Sequence, residues 1–433
     1  MIVRLKSLIK TDLGKIFTGN VLVQVTTVLQ AVIVSRILGP QGKGEFIAII
    51  LWPTIISGIS ILGLYTGIAK LSAREMIFDH WNMAKSTLIA TTIVGLIGTM
   101  VSLLLSPHLI EIEDSSESVL GLTLIFSVFV LINNVARGFN AIDHGRKDFT
   151  RYSVTRSILN PIFFLFLLVL YFTKTLSLAT VVISLLGANF IVCLVRVILS
   201  LYAEREKRKC YPVARLFKYS LKYSISDLSE PIYTYFDKAI LALVLFSYDL
   251  GIYTTAYSAA SLIAIFSNVY GTKVFSDLAG GSSAAAINVM LRQNLILMGI
   301  AAVGLVFIIP LMVPIVFGYD FSPAILPAII LLATCILQGQ SYIVERGILA
   351  LGFPYAGAKA KGISMITLTA LAFTCKWLGF INIYVMVAIM TICQGCYFAY
   401  MLLQYRNLCH IHLDIIPNKT DFNIIFSRII SRR

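Results

Sequence analysis

The sequence predicts an all-α integral membrane protein with about 12 transmembrane helices, and three observations lead to this prediction. Of its 433 residues, 58% are apolar and only 13% are charged, whereas soluble proteins average about 45–50% and about 25%. Uncharged apolar stretches of about 20 residues recur along the chain, and each is long enough to cross a hydrocarbon layer of about 30 Å. Lys and Arg concentrate in alternate connections between these stretches. The same composition excludes a water-soluble globule, a disordered chain and a coiled coil.

Twelve apolar segments follow one another along the chain, joined by short connections. They lie at about residues 14–38, 44–68, 85–106, 118–140, 153–173, 177–202, 219–246, 252–275, 291–317, 324–346, 359–379 and 383–405. The first segment runs past 20 residues and ends at Ser35-Arg36 without a small-residue cleavage site. It is therefore predicted to be a retained span and not a signal peptide.

The distribution of basic residues orients these spans. Most of the 35 Lys and Arg residues fall in the amino end, in every second connection and in the carboxyl tail, and the opposite side carries few. Basic residues are retained in cytoplasmic loops, so both termini are predicted to be cytoplasmic. The net charge of +14 is thus segregated to one side, which favours contact with anionic membrane lipids over nucleic-acid binding. No phosphate-binding glycine loop and no metal-ligand spacing are present, and no cofactor is expected.

Two halves of the chain resemble each other. Superposing Lys15 on Lys222 also aligns Thr27 with Thr234 and Gly44 with Gly251, in the same membrane orientation. This predicts two six-helix bundles related by a pseudo-two-fold axis along the membrane normal, in a V shape with a central cavity. The predicted domains are an N-terminal bundle at 1–202, a basic cytoplasmic linker at 203–218, a C-terminal bundle at 219–405 and a cytoplasmic tail at 406–433.

The seventh span carries the most informative polar pattern. Asp227, Glu230, Thr234, Asp237 and Lys238 fall within about 100° of arc on one helix face. Each charge would cost about 2.5–3.5 kcal/mol at the centre of a lipid-facing helix, so this face is predicted to meet water, protein or ligand. Lys238 lies in the body of the span and is the preferred cavity residue. The carboxylates keep coupling to H⁺ or Na⁺ open.

Polar residues on other spans have two interpretations: they can bridge neighbouring helices, or they can line the cavity. The first span carries Asn20, Gln24 and Thr27, and the tenth carries Gln338 and Glu345, of which Glu345 is a further candidate for ion coupling. Candidate substrate-binding cations besides Lys238 are Arg36 at the outer rim and Arg137 and Arg196 near the cytoplasmic end. Such a positive path suits an anion, and amides and hydroxyls suit a sugar.

A local signature then points to a family. The run Ser35-Arg36-Ile37-Leu38-Gly39-Pro40-Gln41-Gly42-Lys43-Gly44-Glu45-Phe46 resembles the first outer loop of polysaccharide repeat-unit flippases (O-antigen, Wzx-type) in the multidrug/oligosaccharidyl-lipid/polysaccharide exporter superfamily. The runs 248–256 and 138–146 resemble further parts of that family. The resemblance implies translocation of an undecaprenyl-diphosphate-linked oligosaccharide across a bacterial inner membrane by alternating access. It also implies a polysaccharide polymerase and a chain-length regulator as partners, and no catalytic residue.

Two alternatives remain. An ion-coupled multidrug antiporter of the same superfamily would need a membrane-buried carboxylate that binds and releases a cation, which Asp227, Glu230, Asp237 and Glu345 leave open. A membrane polysaccharide polymerase would need a sizeable outer loop with catalytic acidic or Arg residues. The longest outer connection has only about a dozen residues, so a transporter is favoured over an enzyme.

Overall fold

The structure of the protein is a computed structural model. It describes residues 12–74, 80–109, 117–146, 148–201, 212–279 and 286–409. Throughout these ranges the secondary structure is helical, with no β-strand, which confirms the all-α class. Residues 1–11, the first part of the basic linker up to residue 211, and the predicted cytoplasmic tail from residue 410 onward lie outside the described residues.

The helices follow the predicted apolar segments closely. In the first half they are α1 Asp12–Ser60, α2 Leu64–Arg74, α3 His80–Leu105, α4 Glu117–Phe126, α5 Phe129–Gly145, α6 Phe149–Ser157, α7 Leu159–Phe172 and α8 Leu178–Leu201. Then come α9 Val213–Ser220, α10 Ser224–Val244, α11 Ser247–Ala260, α12 Ala264–Ala279, α13 Ala286–Phe317, α14 Ile325–Ala350, α15 Pro354–Trp377 and α16 Ile383–Cys409. Each of the twelve predicted segments therefore coincides with at least one helix.

The first two predicted spans are joined by a kink and not by a separate loop. Gly39 has φ 68° and ψ −176° inside α1, and helical geometry resumes at once with Pro40. A positive φ is readily reached by glycine, and proline suits the first turn of a helix because its nitrogen carries no proton to be satisfied there. The Gly39-Pro40 pair thus ends one helical segment and begins the next.

A tight turn ends the second predicted span earlier than expected. The sequence placed its end near residue 68, but α1 ends at Ser60 and α2 begins at Leu64. Leu62 (φ 44°) and Gly63 (φ 75°) both adopt left-handed backbone between them. Apolar periodicity continues through this turn, so hydropathy alone could not reveal it.

Eight helical segments of the described chain are long and apolar enough to cross a membrane. They include Met83–Leu109, Leu178–Ser200, Ile287–Phe317 and Ile383–Cys409. Large apolar side chains are exposed along their outer sides, among them Met100, Leu104, Phe307 and Leu311. Such surfaces are stable against lipid and not against water. The protein is therefore a multi-pass membrane protein.

The first compact unit spans Met1–Ser247 and is organised around α5, which packs against α1, α2, α3 and α8. Phe139 and Ile142 are fully buried on α5. Gly138 brings α3 close, since a Cβ there would lie 2.6 Å from Thr91 Cγ2. In lipid, helices associate through close packing and not through the hydrophobic effect, so small residues at contacts are favourable.

The polar helix α10 belongs to this first unit, because the compact units divide between Ser247 and Tyr248. It packs along α1, with Ala239 and Leu243 against Trp52 and Ile55. Gly44 of α1 leaves no room for a Cβ beside the Ser247 backbone, which fixes the end of this contact. The domain boundary at 203–218 and the pseudo-two-fold relation stay predictions.

The second unit spans Tyr248–Arg433. Its described helices centre on α14, which packs against α12, α13, α15 and α16. Gly339 and Gly347 of α14 sit at these contacts: a Cβ at Gly347 would meet Ile287, and one at Gly339 would meet Met298 at 2.8 Å. Buried Ile343, Val344 and Tyr405 belong to its core.

Candidate functional site

A polar stripe runs along one side of α5. Asn133, Arg137, Asn140 and His144 recur every three or four residues and lie on one helix face. The first three are half-buried and His144 is exposed, whereas most of the intervening residues are buried. The helix therefore keeps its polar side out of the apolar core of the first unit.

Part of this stripe is used to bind helices together. Asn133 Nδ2 donates to Ser57 Oγ at 2.8 Å, and the neighbouring Asn134 Nδ2 donates to Ser60 Oγ at 2.7 Å. Thr155 Oγ1 donates to Asn140 Oδ1 at 3.1 Å. Interhelical hydrogen bonds of this kind contribute about 0.6 kcal/mol each in a membrane. They position the stripe against α1 and α6.

A second set of contacts ties α1 to α7. Gln30 Nε2 donates to the Asn160 carbonyl at 2.5 Å, and Asn160 Nδ2 donates to Thr27 Oγ1 at 3.2 Å. Gln30 is buried and Thr27 is exposed. Thr27, one of the residues predicted to contact substrate, thus also serves as a helix-bridging acceptor. The helical backbone at Asn20 and Gln24 is described, but their side chains lie outside the described part.

The polar face of α10 points away from its apolar contact with α1. At 100° per residue, Thr234, Asp237 and Lys238 occupy the side opposite to Ala239 and Leu243. Thr234 is exposed, and Asp237 and Lys238 are half-buried. The Lys238 ammonium lies 5.7 Å from the centre of the Tyr235 ring, at the outer limit of a cation–π contact. At Asp227 and Glu230 only the helical backbone is described.

Asp237 adds an unusual feature to this face. Its Oδ1 atom is buried and has no hydrogen-bond donor within the described residues. A buried unpaired polar atom costs about 1–3 kcal/mol, and such atoms in native structures call for an explanation such as a bound cation or a functional proton. Among the predicted coupling residues of the first unit, Asp237 is the one whose side chain the structure describes.

Arg196 has a different environment from Lys238. Its Nη2 group pairs with Asp143 Oδ2 and donates to the Phe139 carbonyl at 3.2 Å. Both side chains are only 2% exposed. Sequence reasoning expected Arg196 to reach the cytoplasmic interface, but the structure places it inside the first unit, between α8 and α5. Asp143 was missed as its partner; an acidic residue near the same membrane end was the available signal.

The two other predicted arginines are more accessible. Arg36 on α1 is exposed, and Arg137 on α5 is half-buried. Close to Arg36 in the chain, Lys43 is buried, and its Nζ donates to Ser35 Oγ at 2.8 Å. This contact spans the kink at Gly39. Lys43 was not predicted as a site residue, although it stands within the glycine-rich signature.

In the second unit, Gln338 and Glu345 lie on α14 but face different partners. Gln338 is exposed, and its Oε1 accepts from Tyr257 Oη at 3.3 Å. Glu345 is paired with Lys361 Nζ at 2.8 Å and accepts from Tyr397 Oη at 3.0 Å. This contact joins α14, α15 and α16. Glu345 thus has an internal cation as its partner.

The structure therefore sorts the predicted residues into two groups. Thr234, Asp237 and Lys238 share a polar face of α10, and Arg137 lies on the polar stripe of α5, within the same unit. Arg196 and Glu345 are held by internal ion pairs. Sequence could identify the polar positions but not the partners that engage them.

Comparisons with known proteins are consistent with this architecture. The model of the family described as "Polysaccharide biosynthesis protein" matches residues 10–276. A "Probable low-salt glycan biosynthesis flippase Agl15" from Haloferax volcanii is 29% identical over 177 residues, which cover 39% of this chain. The chain spans only 37% of the length of that relative.

Solved transporters share the fold over nearly the whole chain. A "Lipid II flippase MurJ, inward closed conformation" superposes with a TM-score of 0.77 and 15% identity, over 96% of this chain and 90% of that chain. An inward-facing MATE family multidrug transporter gives 0.67 and 15% identity, over 89% and 95%. A MOP superfamily transporter from Pyrococcus furiosus gives 0.60 and 15% identity, over 94% and 98%. At this identity the likeness shows the fold alone. Since the family match covers more than half of the residues, the chain belongs to the polysaccharide biosynthesis protein family.

Proposed function

We propose that this protein is a flippase that moves an undecaprenyl-diphosphate-linked oligosaccharide, an O-antigen or related repeat unit, across the bacterial inner membrane by alternating access. One observation carries the proposal: on α10, the predicted seventh span, Thr234, Asp237 and Lys238 lie on the side away from the apolar contact with α1. Keeping such groups in a membrane segment is costly, and they mark substrate or ion paths. Membership of the polysaccharide biosynthesis protein family and similarity to a probable glycan biosynthesis flippase of Haloferax support this proposal.

The proposed chemistry is binding without covalent change. The Lys238 ammonium would hold the diphosphate as a point charge, with Arg137 and Arg36 contacting it nearer either membrane face. Hydroxyl and amide groups at Asn20, Gln24, Thr27, Thr234 and Gln338 would hydrogen-bond the sugars. Arg196 would act indirectly, by fixing α8 to α5 through Asp143. Under this proposal both termini are cytoplasmic, and a polysaccharide polymerase with its chain-length regulator uses the product.

The experiment compares Lys238→Ala with Lys273→Ala, an exposed lysine on α12 that serves as the matched control. Each purified variant is reconstituted into vesicles with a fluorescent polyprenyl-diphosphate oligosaccharide, and the fraction that becomes accessible to an external quencher is followed. Lys238→Ala should lose at least about 90% of the initial rate, since a charge-assisted hydrogen bond contributes about 1.5–3 kcal/mol. Lys273→Ala should retain it.

Lys238→Arg separates charge from shape. Arginine keeps the charge but presents a planar fork, so an intermediate rate is expected. Full translocation by properly inserted Lys238→Ala would eliminate the proposed site.

A second candidate function is an ion-coupled multidrug antiporter, and the buried unpaired Asp237 Oδ1 favours it. Such a transporter needs a carboxylate that takes up and releases a cation, and Asp237 meets this need better than Glu345, which already pairs with Lys361. The two functions differ in cargo. The antiporter would be established by two results together. An imposed H⁺ or Na⁺ gradient should drive cationic dyes in the opposite direction, and Asp237→Asn should abolish this transport. The oligosaccharide lipid should not move.

A further inference from the structure

The short helix α9 has two chemically distinct sides. Leu216 and Ser220 are almost fully buried, at 0% and 1% exposure, and belong to the side that packs on the rest of the first unit. Arg215 and Lys218 project from the opposite side and are exposed, as is Lys222 in the turn that follows. The helix is therefore amphipathic, with its basic side turned outward.

Glycines of α2 and the turn before it hold α9 in place. At Gly67 a Cβ would lie 2.8 Å from Ser220 Cα, and at Gly63 it would come as close to the Ser224 backbone nitrogen, at 2.7 Å. Ser224 Oγ also donates to the Leu62 carbonyl at 3.1 Å. Because the carboxyl end of α9 and the turn after it pack directly on this backbone, the outward side of α9 is presented by a fixed support.

A fourth cation joins this surface from α2. Lys70 is exposed, and its Nζ lies 4.2 Å from the centre of the Tyr223 ring. Among the described residues, no carboxylate pairs with Arg215, Lys218 or Lys222. We call Lys70, Arg215, Lys218 and Lys222 the basic platform. Exposed Leu221, at 57%, lies at its edge.

We infer that the basic platform binds the headgroups of anionic phospholipids on the cytoplasmic leaflet. Clusters of four or more Lys and Arg residues next to a membrane span attract anionic lipid, and each basic residue adds a similar amount to the free energy of lipid binding. An exposed leucine beside such cations suits the boundary between headgroups and acyl chains, where amphipathic surface helices lie. Lys and Arg stems can reach that depth while their charges stay at the phosphates.

The occupant is a lipid and not a soluble anion for a structural reason. The platform is an open surface fixed to a transmembrane unit, without the enclosed walls of a small-anion site. Its four cations come from α2, α9 and the turn after α9, and all of their side chains are exposed. That arrangement fits several neighbouring headgroups.

The test uses native mass spectrometry of the full chain in detergent with equimolar phosphatidylglycerol and phosphatidylcholine. The triple variant Arg215→Gln/Lys218→Gln/Lys222→Gln is compared with wild type and with a control, Lys174→Gln/Lys273→Gln/Lys359→Gln, which removes three exposed lysines elsewhere. Wild type and control should retain phosphatidylglycerol preferentially. The platform variant should lose about fivefold in preference for each cation removed.

Two further measurements make the outcome decisive. Raising the salt concentration should reduce the wild-type preference toward that of the platform variant, because screening weakens surface charge interactions. Inorganic phosphate should reduce the preference no more than chloride at the same ionic strength; if phosphate alone competes fully, the site is for a soluble anion and the inference fails. Equal lipid preference in the platform and control variants would overturn it as well.

Discussion

The buried ion pair between Arg196 and Asp143 allows a quantitative prediction. In Arg196→Met the Asp143 carboxylate stays buried without its cation, since both side chains are 2% exposed. Removing one partner of such a pair costs about 3–5 kcal/mol. For a unit of this size each kcal/mol corresponds to about 2–4 °C in melting temperature, so a loss on the order of 10 °C is expected.

The double variant Arg196→Met/Asp143→Leu should recover most of this loss. Replacing a whole buried ion pair with apolar residues is often neutral or stabilising, by about 1–4 kcal/mol. Arg196 Nε and Nη1 are buried without partners in the described part of the chain, so the native pair is incompletely compensated and its replacement is favoured further. Exposed Arg406→Met is the control, with an expected change within about 0.5 kcal/mol.

Two assays are needed. Thermal unfolding in detergent is measured as the fraction of monomer that remains on size-exclusion chromatography, and activity is measured as translocation of the oligosaccharide lipid. A structural Arg196 predicts that the double variant is both stable and active. If the double variant is stable but does not translocate, Arg196 contacts substrate as the sequence suggested. If Arg196→Met melts like wild type, the burial argument is refuted.

Three other perturbations follow from described contacts. Gly67→Val should detach the segment that contains Ser220, because a Cβ there has no room; limited proteolysis should show faster cleavage near residue 220, and unchanged cleavage would contradict the contact. Glu345→Gln should weaken the Lys361 contact and lower stability by about 1.5–3 kcal/mol, the contribution of a hydrogen bond to a charged group, because the pair is mostly buried at 14% and 23% exposure; an unchanged melting temperature would contradict this contact. Leu167→Ala should cost about 2–5 kcal/mol, because Leu167 is fully buried, and wild-type melting would argue against that packing.

Apolar segment length predicted nearly all of the helices, because each residue of a membrane span must satisfy its backbone within its own helix. Helix breaks were predicted less well. The turn at Leu62 and Gly63 lies within continuous apolar sequence, and its position depends on contact with Ser220 and Ser224, far along the chain. A local pattern carries no information about such contacts.

The candidate site shows the same limit at single residues. The Arg196 pairing with Asp143 joins residues 53 positions apart, and Glu345 meets Tyr397 across 52 positions. The sequence allowed an estimate of how deep each charged residue lies in its span. Whether that residue supports the fold or contacts a substrate depends also on its partner, which the sequence does not identify. Hydropathy treats these side chains alike.

Burial and partner together therefore give a criterion for function among the charges of this protein. Arg196 and Glu345 are each neutralised by an opposite charge from a neighbouring helix, and their removal should act first on stability. Lys238 is half-buried beside exposed Thr234, on the side of α10 away from its apolar contact, so its removal should act first on transport. The ratio of lost transport to lost stability, measured across these variants, distinguishes the two classes, because a group that supports only the fold cannot lower the rate of correctly folded molecules.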